Sequence, residues 1–242
     1  NQDLLEGLFE AGVIAFKGFM SNSGLNEFPY VNTDELRKGM QVITTLPGMR
    51  LALHAEDNEL TDKLFQRCVQ AGTTTYNDFL NSRPIEAELL AIKCAIDIAG
   101  ETSCPIHIVH VSCAEGIDLI TAAKKAGVDI TVETCPHYIC LTSSILEDVG
   151  ALAKCAPALR NSAAVEALHF KLCHGEIDTI GSDHSPCLES MKSTDTFFEA
   201  WGGISSLQHS GPITYSLLSK RLGLPLPSIT NLTSFNPAKR FN

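Results

Sequence analysis

Four ionisable residues each stand where an apolar run gives way to a loop. Lys17 follows GVIAF, His54 follows LAL, His110 follows IHIV and Asp183 follows TIGS. Imidazole nitrogens and carboxylate oxygens are donors for a divalent cation. An ammonium is not. A lysine held near a dication is pushed toward its neutral amine, and a neutral amine can add carbon dioxide. The resulting carbamate has two oxygens, one for each of two metals. Each residue alone has a plainer reading. Lys17 could be a salt-bridged or snorkelling lysine, His54 or His110 a hydrogen-bonded core residue, and Asp183 the cap of a following turn. Together, four such groups on four separate strands point to a metal centre. A carboxylate ending an interior strand needs that compensation, because a buried unpaired carboxylate is costly. His137 and His184 also stand at strand ends and read as rim residues.

The elements that must position these groups are legible as a rhythm. Short apolar runs begin at Gly12, Arg50, Pro105, Asp129 and Asp178, and helical patterns separate them. Thr33 reads as the cap of a helix through TDELRKGMQVI, with acids in its first turn. Pro84 opens a longer helix for which Gly100 is a natural stop. The stretches CAEGIDLITAAKKAG and NSAAVEALHFKLCHG also end on glycine. Strand and helix in alternation mean parallel strands with crossover helices. No GxGxxG or GxxxxGK[ST] follows a strand, so a nucleotide-binding open sheet loses its main support. Polar residues gathered at strand ends favour a (β/α)8 barrel, whose site lies at that end. Strand parity places Lys17 with Ala15, His54 with Ala52, His110 with Ile108 rather than His107, and Asp183 with Gly181.

The bulk numbers agree with an enzyme of small substrates. The chain has 242 residues, 44% hydrophobic and 19% charged, so it can bury a core. Its formal net charge of −10 argues against a nucleic-acid partner. No apolar stretch is long enough to span a membrane. Nine cysteines without a CxxC pair read as thiols of a reducing cytoplasm.

Taken together, the lysine strand, HAED, HIVHVS, ETCPHY, KCAPALR, GSDHSPC and WGGI resemble the cyclic amidohydrolases, the family of allantoinases, dihydropyrimidinases or hydantoinases, and dihydroorotases. FKGFMSNSGLNEFPYV, KCAPALR and GSDHSPC followed by WGGI resemble the allantoinase branch more than the hydantoinase branch. The resemblance runs from Lys17 to NPAKRF, nearly the whole chain.

The resemblance implies a (β/α)8 TIM barrel around a binuclear metal centre. Lys17 matches the carboxylated lysine that bridges two divalent ions, with zinc the leading candidate and manganese, cobalt or iron also suited. His54 and His110 match ligands of the second metal, and Asp183 a ligand of the first metal that also acts as base. Substrate contacts fall at Ala156, Ser185 and the Gly202-Gly203 loop. The implied reaction is opening of the hydantoin ring of allantoin to allantoate, with hydantoinase or dihydropyrimidinase activity as the alternative. A non-catalytic scaffold on the same fold would be expected to have lost the four ligands kept here. The implied assembly is a homo-oligomer, a tetramer in the family pattern. One feature departs: the family's first-strand HxH pair is absent from this sequence. Residues 1–242 are therefore expected to form a partial barrel, about strands 4 to 8, without the first strands, without the small β-rich domain and without activity by themselves.

Overall fold

A computed structural model describes residues 2–241. Five parallel strands form one sheet: β1 (Phe16–Phe19), β2 (Leu51–His54), β3 (Ile106–Ile108), β4 (Ile130–Thr134) and β5 (Thr179–Ile180). Their spatial order is their chain order, with each strand pairing with the next. An open doubly wound sheet reverses its strand order at a switch point. A barrel wall does not, and this sheet has no reversal. All five predicted strands are present.

The register explains how the two faces divide the work. Phe16 pairs with Leu51, Leu51 with Ile106, and Ile106 with Ile130. These residues join Leu53, Ile108 and Val132 in the main apolar core, under the crossover helices. One residue along, Lys17 pairs with Ala52, Ala52 with His107, and His107 with Thr131. Glu133 pairs with Thr179 on the same side. The face away from the helices is therefore largely polar, and it lines the inside of the barrel wall.

Local signals set the helices. α1 (Leu5–Glu10) follows a short turn, and α2 (Thr33–Thr45) is capped by Asn32 rather than Thr33. Asn32 accepts from the Glu35 N–H while the Glu35 carboxylate accepts from the Asn32 N–H, which makes Thr33 the first helical residue. α3 (Asn58–Ala71) and α4 (Tyr76–Ser82) are capped by Asp57 and Thr75. α5 (Ile85–Thr102) starts after Pro84 as expected but runs through Gly100. It stops at Ser103, in the left-handed region at φ 58°, because the apolar stripe Ala91, Ala95, Ile98, Ala99 keeps the last turn on the core. α6 (Ala114–Lys125) leads to β4, and the one-turn helices α7 (Pro136–Cys140) and α8 (Leu146–Val149) follow it. α9 (Ser162–Cys173), capped by Asn161, leads to β5, and α10 (Leu207–Tyr215) lies beyond the site loops.

Candidate functional site

The strands' C-terminal ends open into a cavity of about 670 Å³. Lys17, His54, His110 and Asp183 all line it. So do Ala156, Ser185 and Gly202. Seven residues from distant parts of the sequence thus share one wall.

His54 and His110 form the tightest contact of the set: His54 Nδ1 lies 3.1 Å from His110 Nε2. Both rings are buried. His110 does not reach this position by strand parity. β3 ends at Ile108, which pairs with Leu53 and Val132 on the helix-facing side. Continued alternation from Ile108 would send His110 under the helices. A left-handed backbone at His110, φ 44°, turns the ring toward His54 instead. His107, set aside by the parity reading, is on the inner face with Lys17, where its Nδ1 lies 2.8 Å from Thr131 Oγ1.

Asp183 shares the unusual backbone, with φ 43°. Three described non-glycine residues have positive φ, and two are these candidate ligands. Such conformations cost of order 1–3 kcal/mol each and persist where surrounding structure enforces them. Asp183 and Lys17 are solvent-exposed, which corrects the expectation of a buried strand-end carboxylate. The described residues leave that side of the mouth open. The cavity wall still strips water from both groups. It raises the Asp183 carboxyl, with Lys17 and His54 pulling the other way. It lowers the Lys17 ammonium, opposed by Asp183 and Glu133.

The donor chemistry fits a divalent cation. Glu56 Oε2 lies 2.8 Å from His54 Nε2. A carboxylate only accepts, so His54 Nε2 carries the proton and Nδ1 presents its lone pair toward His110. Burial, with His54 and Lys17 adding to it, holds the His110 imidazole far below its ordinary pKa, in the neutral form that ligates metal. His110 Nδ1 has no hydrogen-bond partner. Two buried nitrogens thus face each other at a separation a shared cation would bridge, the one on His54 bare in the neutral ring. Among the described residues no three His, Cys, Asp or Glu side chains are grouped so as to hold a metal ion.

The other aside residues behave differently. His184 Nδ1 accepts from Ser206 and Leu207 N–H at 3.1 Å, which makes it the cap of α10. His137 is buried against Tyr138 with both ring nitrogens unpartnered, and burial pulls it down to about 4.

The substrate-side loops are pinned by two lysines. Lys154 Nζ donates to the Phe198 and Ala200 carbonyls at 2.8 and 2.6 Å. Lys192 Nζ donates to the Ala151, Trp201 and Gly203 carbonyls. Gly203 N–H in turn donates to the Lys154 carbonyl at 2.8 Å, and Ser185 N–H to Ile204 at 3.0 Å. Position 203 must be glycine here, since a Cβ would lie 2.4 Å from Ser185 Oγ.

Sequence reasoning passed over the groups behind this wall. Arg83 bonds Glu56 from the cavity side. Arg160 donates to Glu88, to Ser112 Oγ and to the Arg83 carbonyl at 2.7, 2.8 and 2.6 Å. Glu88 accepts from Ser112 N–H, two residues beyond His110. Burial pushes the Glu56 carboxyl up, but Arg83, His54 and Arg160 hold it at about 2. The carboxylate two residues after His54 in HAE was the available signal. Arg160 was visible only as the last letter of KCAPALR.

No family model matches the chain. Curated relatives do. It is 43% identical over 241 residues to an allantoinase of Deinococcus radiodurans, covering 100% of this chain and 54% of that protein. It is 42% identical over 241 residues to an allantoinase of Solibacter usitatus, covering 100% of the chain and 52% of the relative. The chain thus spans about half the length of the curated relatives it matches. Among solved structures, the L-hydantoinase (dihydropyrimidinase) of Arthrobacter aurescens superposes with a TM-score of 0.94 at 28% identity, covering 99% of this chain and 53% of that one. A D-hydantoinase from Thermus sp. superposes at 0.92 with 25% identity, over 99% of this chain and 53% of that one. The sheet is accordingly the wall of a TIM-barrel amidohydrolase, and the chain belongs to the cyclic amidohydrolase family that includes the allantoinases and hydantoinases.

Proposed function

We propose that the complete protein is an allantoinase, a metal-dependent hydrolase that opens the hydantoin ring of allantoin to allantoate. The observation that carries this reading is the 43% identity to a protein named allantoinase over the whole length of the chain. The hydantoinases supply the second reading, on structural likeness at 25–28% identity. Steady-state kcat/KM of the complete protein on allantoin and on dihydrouracil decides between them. A higher value for dihydrouracil moves the protein to the hydantoinases.

In this reading Lys17, as a carbamate, would hold the divalent ions together with His54, His110 and Asp183, zinc first among the candidates. When bound, the ions polarise the ring carbonyl and acidify the attacking water. Asp183 takes the water's proton and delivers it to the leaving ring nitrogen. Lys17 and His54 pull Asp183 toward the carboxylate form needed for that, against the desolvation that raises its pKa. The backbone at Ala156 and Gly202 would hold the ring amide, with Ser185 beside it. The two lysine-pinned loops keep these contacts at fixed spacing, which is worth most when the reacting atoms must be in near-attack geometry. Residues 1–242 make up part of one hydrolase barrel in this reading.

The assembly proposed is a homo-oligomer, a tetramer, testable by light scattering. The compartment proposed is the cytoplasm. All nine cysteines are free thiols, and no described helix is long and apolar enough to cross a membrane.

A further inference from the structure

We infer that Glu56 and Arg83 are positioning residues for His54, coupling the ring that faces His110 to the wall of the substrate cavity. The inference rests on the reading of His54 as a metal ligand. Glu56 is fully buried, and its Oε2 takes both the His54 Nε2–H and the Arg83 guanidinium. Its Oε1 has no hydrogen-bond partner among the described residues. Both holds therefore converge on one oxygen, and loss of either leaves the carboxylate tethered by a single bond.

An imidazole can turn over about its Cβ–Cγ bond, which puts ring carbons where its two nitrogens were. What prevents this at His54 is the acceptor at 2.8 Å behind Nε2. It fixes which nitrogen is bare and where that nitrogen points. Outer carboxylates of this kind orient metal-bound histidines and raise their basicity.

Arg83 holds Glu56 from a place that is itself fixed. It closes α4, its carbonyl accepts from Arg160, and its guanidinium lies 5.8 Å from the Phe79 ring centroid. The same guanidinium lines the cavity. Displacing Arg83 would thus leave the Glu56 carboxylate held by the His54 ring alone, and that ring less firmly fixed. Lysine cannot replace the planar fork equivalently.

The test uses the complete protein, with metal affinity measured under buffered free Co²⁺ and the cobalt absorption spectrum recorded. Glu56→Gln should weaken one of two sites by about 10- to 100-fold and alter that site's spectrum. Arg83→Met should do the same to a lesser degree, with Arg83→Lys restoring part. The metal-free Glu56→Gln variant should keep a cooperative melt, which separates ring orientation from loss of fold. Unchanged affinity and spectrum in both Glu56→Gln and Arg83→Met would overturn the inference. His54→Ala distinguishes its failure from that of the ligand reading. If that variant binds both ions normally, His54 is not a ligand and both fall. If it loses an ion while Glu56→Gln does not weaken, only the positioning role falls.

Discussion

Arg160→Met should be among the most destabilising single changes in this chain. Arg160 and Glu88 are a buried pair, 8% and 1% exposed at their side chains. The guanidinium makes three bonds, to Glu88, Ser112 and the Arg83 carbonyl. Methionine fills most of the volume but leaves Glu88 as a buried charge held by Ser112 N–H, Ser112 Oγ and Cys113 Sγ. Breaking one partner of a buried pair costs about 3–5 kcal/mol, largely through the charge left behind. At about 2–4 °C per kcal/mol for a domain of this size, the melting temperature should fall by roughly 6–20 °C. The distinguishing measurement is a double-mutant cycle. Glu88→Leu with Arg160→Met removes both charges and should recover most of the loss, because a buried pair and a packed apolar substitute are often nearly equal in stability. Chemical denaturation of the four proteins gives the coupling. A single-mutant loss below about 1 kcal/mol, or a double mutant no better than the Arg160→Met single, would refute the claim that the buried charge sets the cost.

Lys17→Ala should lose bound metal and activity together in the complete protein, and small carboxylic acids in excess should restore part of each; tight binding of two ions without an additive would remove the bridging role. Asp183→Asn should lower turnover by roughly 10²–10⁴-fold while metal content stays near normal, as expected for loss of a general base. Gly181→Ala should cost about 1–3 kcal/mol by overpacking, because its Cβ would lie 2.5 Å from the Glu133 carboxyl carbon. It should also depress turnover, since Asp183 is two residues on, and denaturation together with kinetics checks both halves. Burial, aided by Arg83 and Lys192, holds the Lys154 amine at about 7 when folded, against 10.5 for a free lysine. The unfolded chain then binds the extra proton between those values, so stability should rise with pH across that window. Lys154→Met should flatten that slope relative to the parent.

The strands could be read because each is a short apolar run between helical stretches, and the metal-competent types stood out at their ends. What the alternation rule could not convey was where regular structure stops. It holds while backbone is extended, and β3 is extended only to Ile108. The turn at His110 is a left-handed residue without a glycine to announce it. Asparagine and threonine both cap well, so Asn32 against Thr33 was decided by which one lies three residues before Glu35. Gly100 lacks a stop because packing on the core outweighs the roughly 1 kcal/mol that glycine costs in a helix.

The least legible part was the polar scaffold behind the wall. Glu56, Arg83, Glu88, Ser112 and Arg160 lie in four separate stretches and carry no spacing signature. Only the fold shows that Arg160 grips the residue whose guanidinium grips Glu56, and that Glu88 fixes the backbone just past His110. This arrangement also accounts for the two strained residues. A left-handed His110 and Asp183 would relax if their neighbours were free to move. Ser112 is held by Glu88 on one side, and the Ser182 carbonyl is held by Ser206 Oγ on the other. The strain is therefore confined between fixed points, and the side chains it redirects are the ones that meet in the cavity.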